Sequence, residues 1–283
     1  MNFCFKPLRA THLSTPAAIG AWLFSLHVCA APDEAQKNVE EKAATSIFGT
    51  KTDVTLGMGI GTDQRYMGSR DDRLILWPAI SLHRGIFFAD TLRGAGVEWQ
   101  SDFGFYIADA FNYDVGRGTE TSVFRPGSIN LKGMGDVKGA LTNTVTVAQG
   151  LATWFSVNAQ AELALDGSRR GNQYQLGVES SFPLTPKDAI TLDLDAKFGD
   201  SQYNQSYFGV TQAQSRNSGF TQFTPGSGMY AYSMSGTWKH TFDKNWSTQV
   251  IVTGTRYTDK VAASPIVERE FGVTTFMSLN YSY

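Results

Sequence analysis

Asp193 and Asp195 stand two residues apart, and Lys197 follows two residues later. In an extended strand that spacing puts the three side chains on one face, with neighbours about 7 Å apart. Two carboxylates so placed have the reach of a general acid/base pair, and Glu162 on a nearby segment adds a third acid. Lys197 and Lys239 are available to neutralise them. An ion-pair network filling a narrow interior is therefore the preferred reading, and the same charges would tune ion passage if that interior is open.

The other candidates are weaker. A serine hydrolase needs a histidine beside its nucleophile, and only His83 and His240 lie beyond residue 31. Ser247 falls near His240 across the turn Asp243-Lys244-Asn245, but no nucleophile elbow surrounds it. Gly57-Met58-Gly59-Ile60-Gly61 has the glycine density of a phosphate cradle, yet no helical pattern follows it. Glycines facing a crowded interior explain it better. No cluster of His, Asp or Glu has metal-ligand spacing, so no catalytic residue, metal or cofactor is expected. A net charge of −2 lacks the basic face that nucleic acid requires.

The elements that carry these residues have a period of two. In 155–165, Phe155, Val157, Ala159, Ala161, Leu163 and Leu165 alternate with Ser156, Asn158, Gln160 and Glu162. In 190–199, Ile190, Leu192, Leu194, Ala196 and Phe198 oppose Thr191, Asp193, Asp195 and Lys197. In 230–242, Tyr230, Tyr232, Met234, Trp238 and Phe242 oppose Ala231, Ser233, Ser235, Thr237 and Lys239. The chain closes on Met277-Ser278-Leu279-Asn280-Tyr281-Ser282-Tyr283, with an apolar or aromatic residue at alternate places and a ring at the terminus. Such alternation belongs to strands with one apolar face. Residues 102–113 are ambiguous, and neither face can be given to lipid.

Turn chemistry is a second regularity. Short links are expected at His83-Arg84-Gly85, Gln100-Ser101-Asp102, Gln149-Gly150, Thr185-Pro186-Lys187-Asp188 and Asp243-Lys244-Asn245. Longer connections lie between them at 61–72, 114–133, 166–172, 200–228 and 258–269, with one brief exception near Thr91-Leu92-Arg93. Short turns alternating with long loops, about twelve strands and an aromatic end predict an all-β, antiparallel transmembrane barrel of the bacterial outer-membrane type over 51–283. Such a barrel puts apolar side chains against lipid, where a cation costs about 2–4 kcal/mol at the midplane, and charges inside. Rings near strand ends, among them Tyr174, Phe182, Tyr230, Trp238, Trp246 and Tyr257, suit the interfacial girdles. A soluble sandwich or lipocalin-like barrel is the rival, because alternation alone does not say which face is inside.

The N-terminus indicates export. Lys6 and Arg9 precede the apolar run 17–26, and Val28-Cys29-Ala30 ends it with a cleavable signature. Residues 1–30 are read as a signal peptide removed after Ala30 or Ala31, and 31–50 as a polar periplasmic tail. Cleavage takes Cys4 and Cys29, which leaves no thiol chemistry.

Several loop motifs then occur in a fixed order. They are Tyr66-Met67-Gly68-Ser69 with Asp71-Asp72, Trp77-Pro78-Ala79-Ile80, Gly85-Ile86-Phe87-Phe88-Ala89, and Tyr113-Asp114-Val115-Gly116-Arg117. Tyr207-Phe208-Gly209-Val210-Thr211, Thr224-Pro225-Gly226-Ser227-Gly228 and Ser264-Pro265-Ile266-Val267 follow. Together they resemble the MipA/OmpV family of outer-membrane proteins across about residues 48–283. The terminal Tyr283 departs from the commoner Phe but keeps an aromatic for the barrel-assembly machinery to recognise. The resemblance implies a non-enzymatic barrel in the outer membrane, in contact with its lipid. It also implies a scaffold joining a lytic transglycosylase to a murein synthase at the periplasmic face. Two alternatives stay open: a small-solute channel, from the charged inner face, and a surface adhesin through loop 200–228. That loop, rich in Gln, Ser, Asn and rings, suits adhesive contact and an inward-folded plug equally well.

Overall fold

The computed structural model describes Gly49, residues 51–165 and 170–283, and the backbone of two short strands, Arg9–His12 and Trp22–Ser25, which pair antiparallel. The rest of the expected signal peptide and tail lies outside the described residues.

Twelve antiparallel strands close into a barrel. They are β1 (Asp53–Gln64), β2 (Asp72–Arg84), β3 (Phe87–Asp90), β4 (Gly94–Gln100), β5 (Phe105–Asp114) and β6 (Ala140–Ala152). The second half comprises β7 (Phe155–Ala164), β8 (Gln173–Pro183), β9 (Asp188–Gly199), β10 (Gly228–Thr241), β11 (Trp246–Tyr257) and β12 (Phe271–Ser282). Each strand pairs with its sequence neighbours, and β12 closes on β1 in the register Thr275↔Thr62 to Ser282↔Thr55. Closure satisfies the backbone polar groups that lipid cannot. The backbone N–H of Tyr283 donates to Val54 O at 2.9 Å, so the terminal ring is tied to the seam.

The alternation resolves as a barrel wall. Leu56, Met58 and Ile60 of β1 point outward, Met58 being 65% exposed, while Gly59, Gly61 and Asp63 are buried within. In β9, Leu192 and Leu194 face out while Thr191, Asp193 and Asp195 face in. Ile75 and Trp77 take the inner face of β2. In β5, Ile107, Phe111 and Tyr113 face out and Tyr106, Ala108 and Ala110 face in, which settles the ambiguous segment. The rings of Trp246, Tyr281 and Tyr283 meet edge to face at the short-turn end, where a periplasmic girdle belongs.

The glycine run of β1 exists for one ring. Phe276 of β12 points inward, 8% exposed, and lies across Gly59 and Gly61; a Cβ on Gly59 would sit 2.0 Å from its Cζ. An aromatic laid over cross-strand glycines covers the bare backbone and pins the seam's register.

Three local expectations change. Tyr230 does not face lipid: the ladder between β9 and β10 slips between Lys197 and Phe198, and the extra residue this inserts in β10 turns its ring inward. Tyr257 is buried too, with its hydroxyl donating to Gln64 Oε1 at 2.8 Å. The link expected at Gln149-Gly150 falls instead between Ala152 and Phe155, because a register irregularity at Gly150/Ala152 carries the strand further.

The brief link at Thr91–Arg93 makes a half-height hairpin. β3 has 4 residues and β4 has 7, against 13 in β2. Only Ser81–Arg84 of β2 pair with β3, and Ile80 closes the ladder through Thr91. Above Ile80 the edge of β2 has no paired strand among the described residues. Pro78 directs its nitrogen to this same side, the place in a sheet where a residue without N–H is tolerated. Inside, Glu98 pins the hairpin: it accepts from Arg93 Nη2 at 2.8 Å and Tyr106 Oη at 3.0 Å and lies 3.1 Å from His83 Nδ1.

Candidate functional site

The connections 65–71, 115–139, 170–172, 200–227 and 258–270 share one end of the barrel, and their motif residues converge into a cap. Two helices shape it. α1 (Ser201–Phe208) starts at Asp200, whose side chain accepts from Tyr203 N at 2.7 Å. α2 (Gln212–Ser218) starts at Thr211 with a full capping box through Gln214. The aromatic face of α1 is buried: Tyr203, Tyr207 and Phe208 pack with Tyr230 and Tyr257 at ring distances of 4.7–5.9 Å. No side chain of α2 is buried.

Polar contacts fasten α1 across the mouth. Tyr207 Oη donates to Asp114 Oδ2 at the top of β5 (3.0 Å), and Arg117 Nη1 donates to Tyr207 O (2.7 Å). Asn204 Nδ2 donates to Gly226 O beside β10 (2.8 Å), and Ser264 Oγ donates to Phe208 O (2.5 Å). Gly209 ends the helix by donating to Gln205 O at 3.0 Å. Arg170 lies at the centre, 1% exposed. Its guanidinium binds both Asp114 and Glu162 and stacks 5.2 Å from the Tyr203 ring.

Electrostatics follow from this burial. Burial opposes the charge on Arg170, but Glu162, Tyr207 and Asp114 hold it protonated well above the ordinary arginine range. Burial, then the Asp114 charge, pushes the Tyr207 phenol up, so it stays a donor. Arg117 makes no ion pair among the described residues, and burial pulls it down to about 10 against weaker support from Tyr207, Tyr66 and Asp136.

Motif residues of the other long connections complete the cap, while 77–80 lie in the wall and 85–89 at the short-turn end. Tyr66 is buried with Leu131, Met134, Val210 and Ile266. Gly68, at φ +86°, accepts from Glu268 N (2.7 Å) and Arg269 N (3.1 Å), and a Cβ there would press on Val267 at 2.9 Å. Ser69 O accepts from Gln64 Nε2 (2.9 Å), Gly116 N donates to Asp114 Oδ1 (2.6 Å), and Pro265 lies between buried Ser264 and Ile266. Segments far apart in sequence thus make one packed lid. Loop 200–228 divides accordingly: α1 plugs and α2 stands outside. Tyr207→Phe is expected to loosen this lid by about 1.5–3 kcal/mol, the range for a bond to a charged group. Faster cleavage of 200–227 by protease added to intact cells measures it.

The inner charges are not one cluster. Glu162 belongs to the cap through Arg170, paired in register with Gln173 rather than with the acids of β9. Asp193 and Asp195 share their face with Glu179, which lies directly opposite Asp193. Asp195 accepts from Gln175 Nε2 at 2.8 Å and Ser233 Oγ at 3.3 Å, whereas Asp193 has only the Glu179 carboxyl opposite it and no nitrogen or hydroxyl donor among the described residues. Lys197 stands two residues above Asp195, and Lys239 pairs with Ala189, far down the wall from both acids. Across the lumen, Phe88, Tyr106, Ala108, Ala110 and Ala148 form an apolar patch. A cavity lined by Gln100, Tyr106, Trp154 and Glu179 lies toward the short-turn end.

His240 binds Asp188 through Nδ1 at 2.7 Å, but its cross-strand partner is Thr248, so the neighbouring Ser247 points to the opposite side of the wall. Among the described residues no three acids or histidines are placed to hold a metal.

Sequence reasoning missed Arg170, Arg93 and Glu98. The first follows a polar loop with no pattern of its own, and the others flank a hairpin too short to show a period.

The family model described as MltA-interacting protein MipA matches residues 56–283. No curated protein matches the chain. Among solved structures it is similar to the KdgM porin in complex with disordered oligogalacturonate, at 10% identity and TM-score 0.38 over 82% of this chain and 99% of that one. It is similar to the outer membrane channel DcaP of Acinetobacter baumannii, at 9% identity and TM-score 0.37 over 82% and 96%. OmpT, an outer membrane protein of Vibrio cholerae, is similar at 6% identity and TM-score 0.35 over 82% and 97%.

Proposed function

Because the chain belongs to the MltA-interacting protein MipA family, we propose a non-enzymatic outer-membrane barrel that holds a lytic transglycosylase and a murein synthase at its periplasmic face. Family membership across nearly the whole barrel carries this reading. The cap is compatible with it: a packed lid fastened through Arg170 and Tyr207 covers the mouth at the long-loop end, and the short-turn rim stands clear of it. Mature barrel immobilised in detergent is expected to retain a purified lytic transglycosylase at micromolar concentration, and deletion of 212–218 on the outer side is expected to leave capture unchanged. Absence of capture counts against the scaffold, and loss on deleting 212–218 moves the contact to the wrong face.

One observation favours a second reading, a small-solute channel: Asp193 and Glu179 face each other in the lumen with no cation paired to either among the described residues. Conduction then requires the cap to open. Planar-bilayer conductance that changes with Asp193→Asn and Asp195→Asn supports it, and electrical silence removes it. The exposed helix α2 keeps the adhesin reading testable by deleting the loop and measuring surface binding.

A further inference from the structure

The outer wall at β5 and β6 carries a polar pair where hydrocarbon belongs. Asp109 is the fifth of the ten residues of β5, and its side chain is exposed on the lipid side between Ile107 and Phe111. Asn143, on the outer face of β6, donates from Nδ2 to Asp109 Oδ1 at 2.5 Å and is its one hydrogen-bond partner among the described residues. The other outward ionisable side chains of the described strands, Asp72, Arg84, Asp188, His240 and Arg256, stand at or near strand ends. A mid-strand carboxylate facing acyl chains is a cost without return unless something supplies donors to it.

A second, independent feature occupies the same sector. Phe111, beside Asp109, pairs with Ala95 at the head of the half-height hairpin, so the polar pair sits level with the floor of the notch above β3 and β4. The unpaired edge of β2 borders that notch. Around the pair the outer face is apolar, with Val97, Ile107, Phe111, Leu141 and Val145 exposed, and beyond them it drops to Ala159 and Ala161 on β7. That apolar surround is area a second wall would bury around the polar pair.

Acyl chains bring no donors, and a lipopolysaccharide headgroup is anionic and lies above this level. A second barrel wall brings both donors and apolar area. The pair is self-complementary, with a carboxylate on one strand and on the next an amide whose second N–H has only a long 3.5 Å contact to Ala110 O to give up. A two-fold axis between β5 and β6 would bring each Asn143 to the other copy's Asp109, and isologous contacts of this kind are the commonest in homo-oligomers. We propose that the β5–β6 face is a homodimer interface within the membrane, joined through Asp109 and Asn143.

Both native cysteines lie in the segment expected to be cleaved, so engineered thiols can report the contact. Val145→Cys, opposite Asp109 on the outer face, is expected to form a disulfide-linked dimer in oxidised native outer membranes, and Val252→Cys on the far wall to remain monomeric. Adding Asp109→Leu to Val145→Cys should cut the dimer several-fold while the folded barrel persists. The proposal is overturned if Val145→Cys stays monomeric, if both cysteines cross-link equally, if the linked species contains a different protein, or if the dimer is unaffected by Asp109→Leu.

Discussion

Arg170→Met is expected to destabilise the capped barrel by about 3–5 kcal/mol, because it strips the counter-charge from two buried carboxylates at once. Asp114 and Glu162 would be left facing one another beneath the aromatic lid, with Tyr207 Oη and Gly116 N donating to Asp114 but no cation between the two acids. The cap should therefore open before the wall does. Urea unfolding in detergent reads the loss as a lower midpoint, and external protease reads it as cleavage in the outer loops while the strands stay protected. Adding Asp114→Asn and Glu162→Gln to Arg170→Met is expected to recover part of the stability, since neutral amides need no cation. A triple variant as unstable as the single one would show that Arg170 acts through shape and ring stacking rather than charge.

Phe276→Ala is expected to cost a similar amount, about 3–5 kcal/mol, by removing a buried ring from the seam where the barrel closes. The partner glycines make this prediction sharper. Gly59→Ala places a methyl where the ring lies, at 2.0 Å from Cζ, and should cost about 1–3 kcal/mol by overpacking. In the double variant the methyl meets an empty space, so the two losses should fall well short of adding. Heat-induced mobility shifts on semi-native gels and urea midpoints in micelles both measure this coupling. Simple additivity would mean that the ring and the glycine stripe do not act as one joint.

Much of the wall was legible in the residues. Leu192 and Leu194 against Asp193 and Asp195, or Met277 and Leu279 against Ser278, betray their faces because successive side chains of a strand point to opposite sides. The long connections were also readable, since turn residues at the short end mark where each hairpin folds back. Tyr230 misled because a bulge depends on register against the neighbouring strand, which a single strand's pattern does not contain. The motif residues were legible as an ordered set but not as a lid: nothing between Tyr66 and Ile266 announces that two side chains so far apart along the chain share one core.

By itself, then, the order of residues determined a twelve-stranded wall, its apolar exterior and its closing aromatic, because two-residue periodicity and turn chemistry act over a few neighbouring positions. Only the tertiary structure decided that the outer loops form a cap around Arg170 and that Glu162 serves this cap rather than the acids of β9. It alone turned Tyr230 inward, stopped β3 and β4 at half height and left Asp109 facing lipid. Each of these outcomes depends on which distant strand or loop a residue meets once the sheet has closed, and loop closure brings together partners whose separation along the chain leaves no local trace.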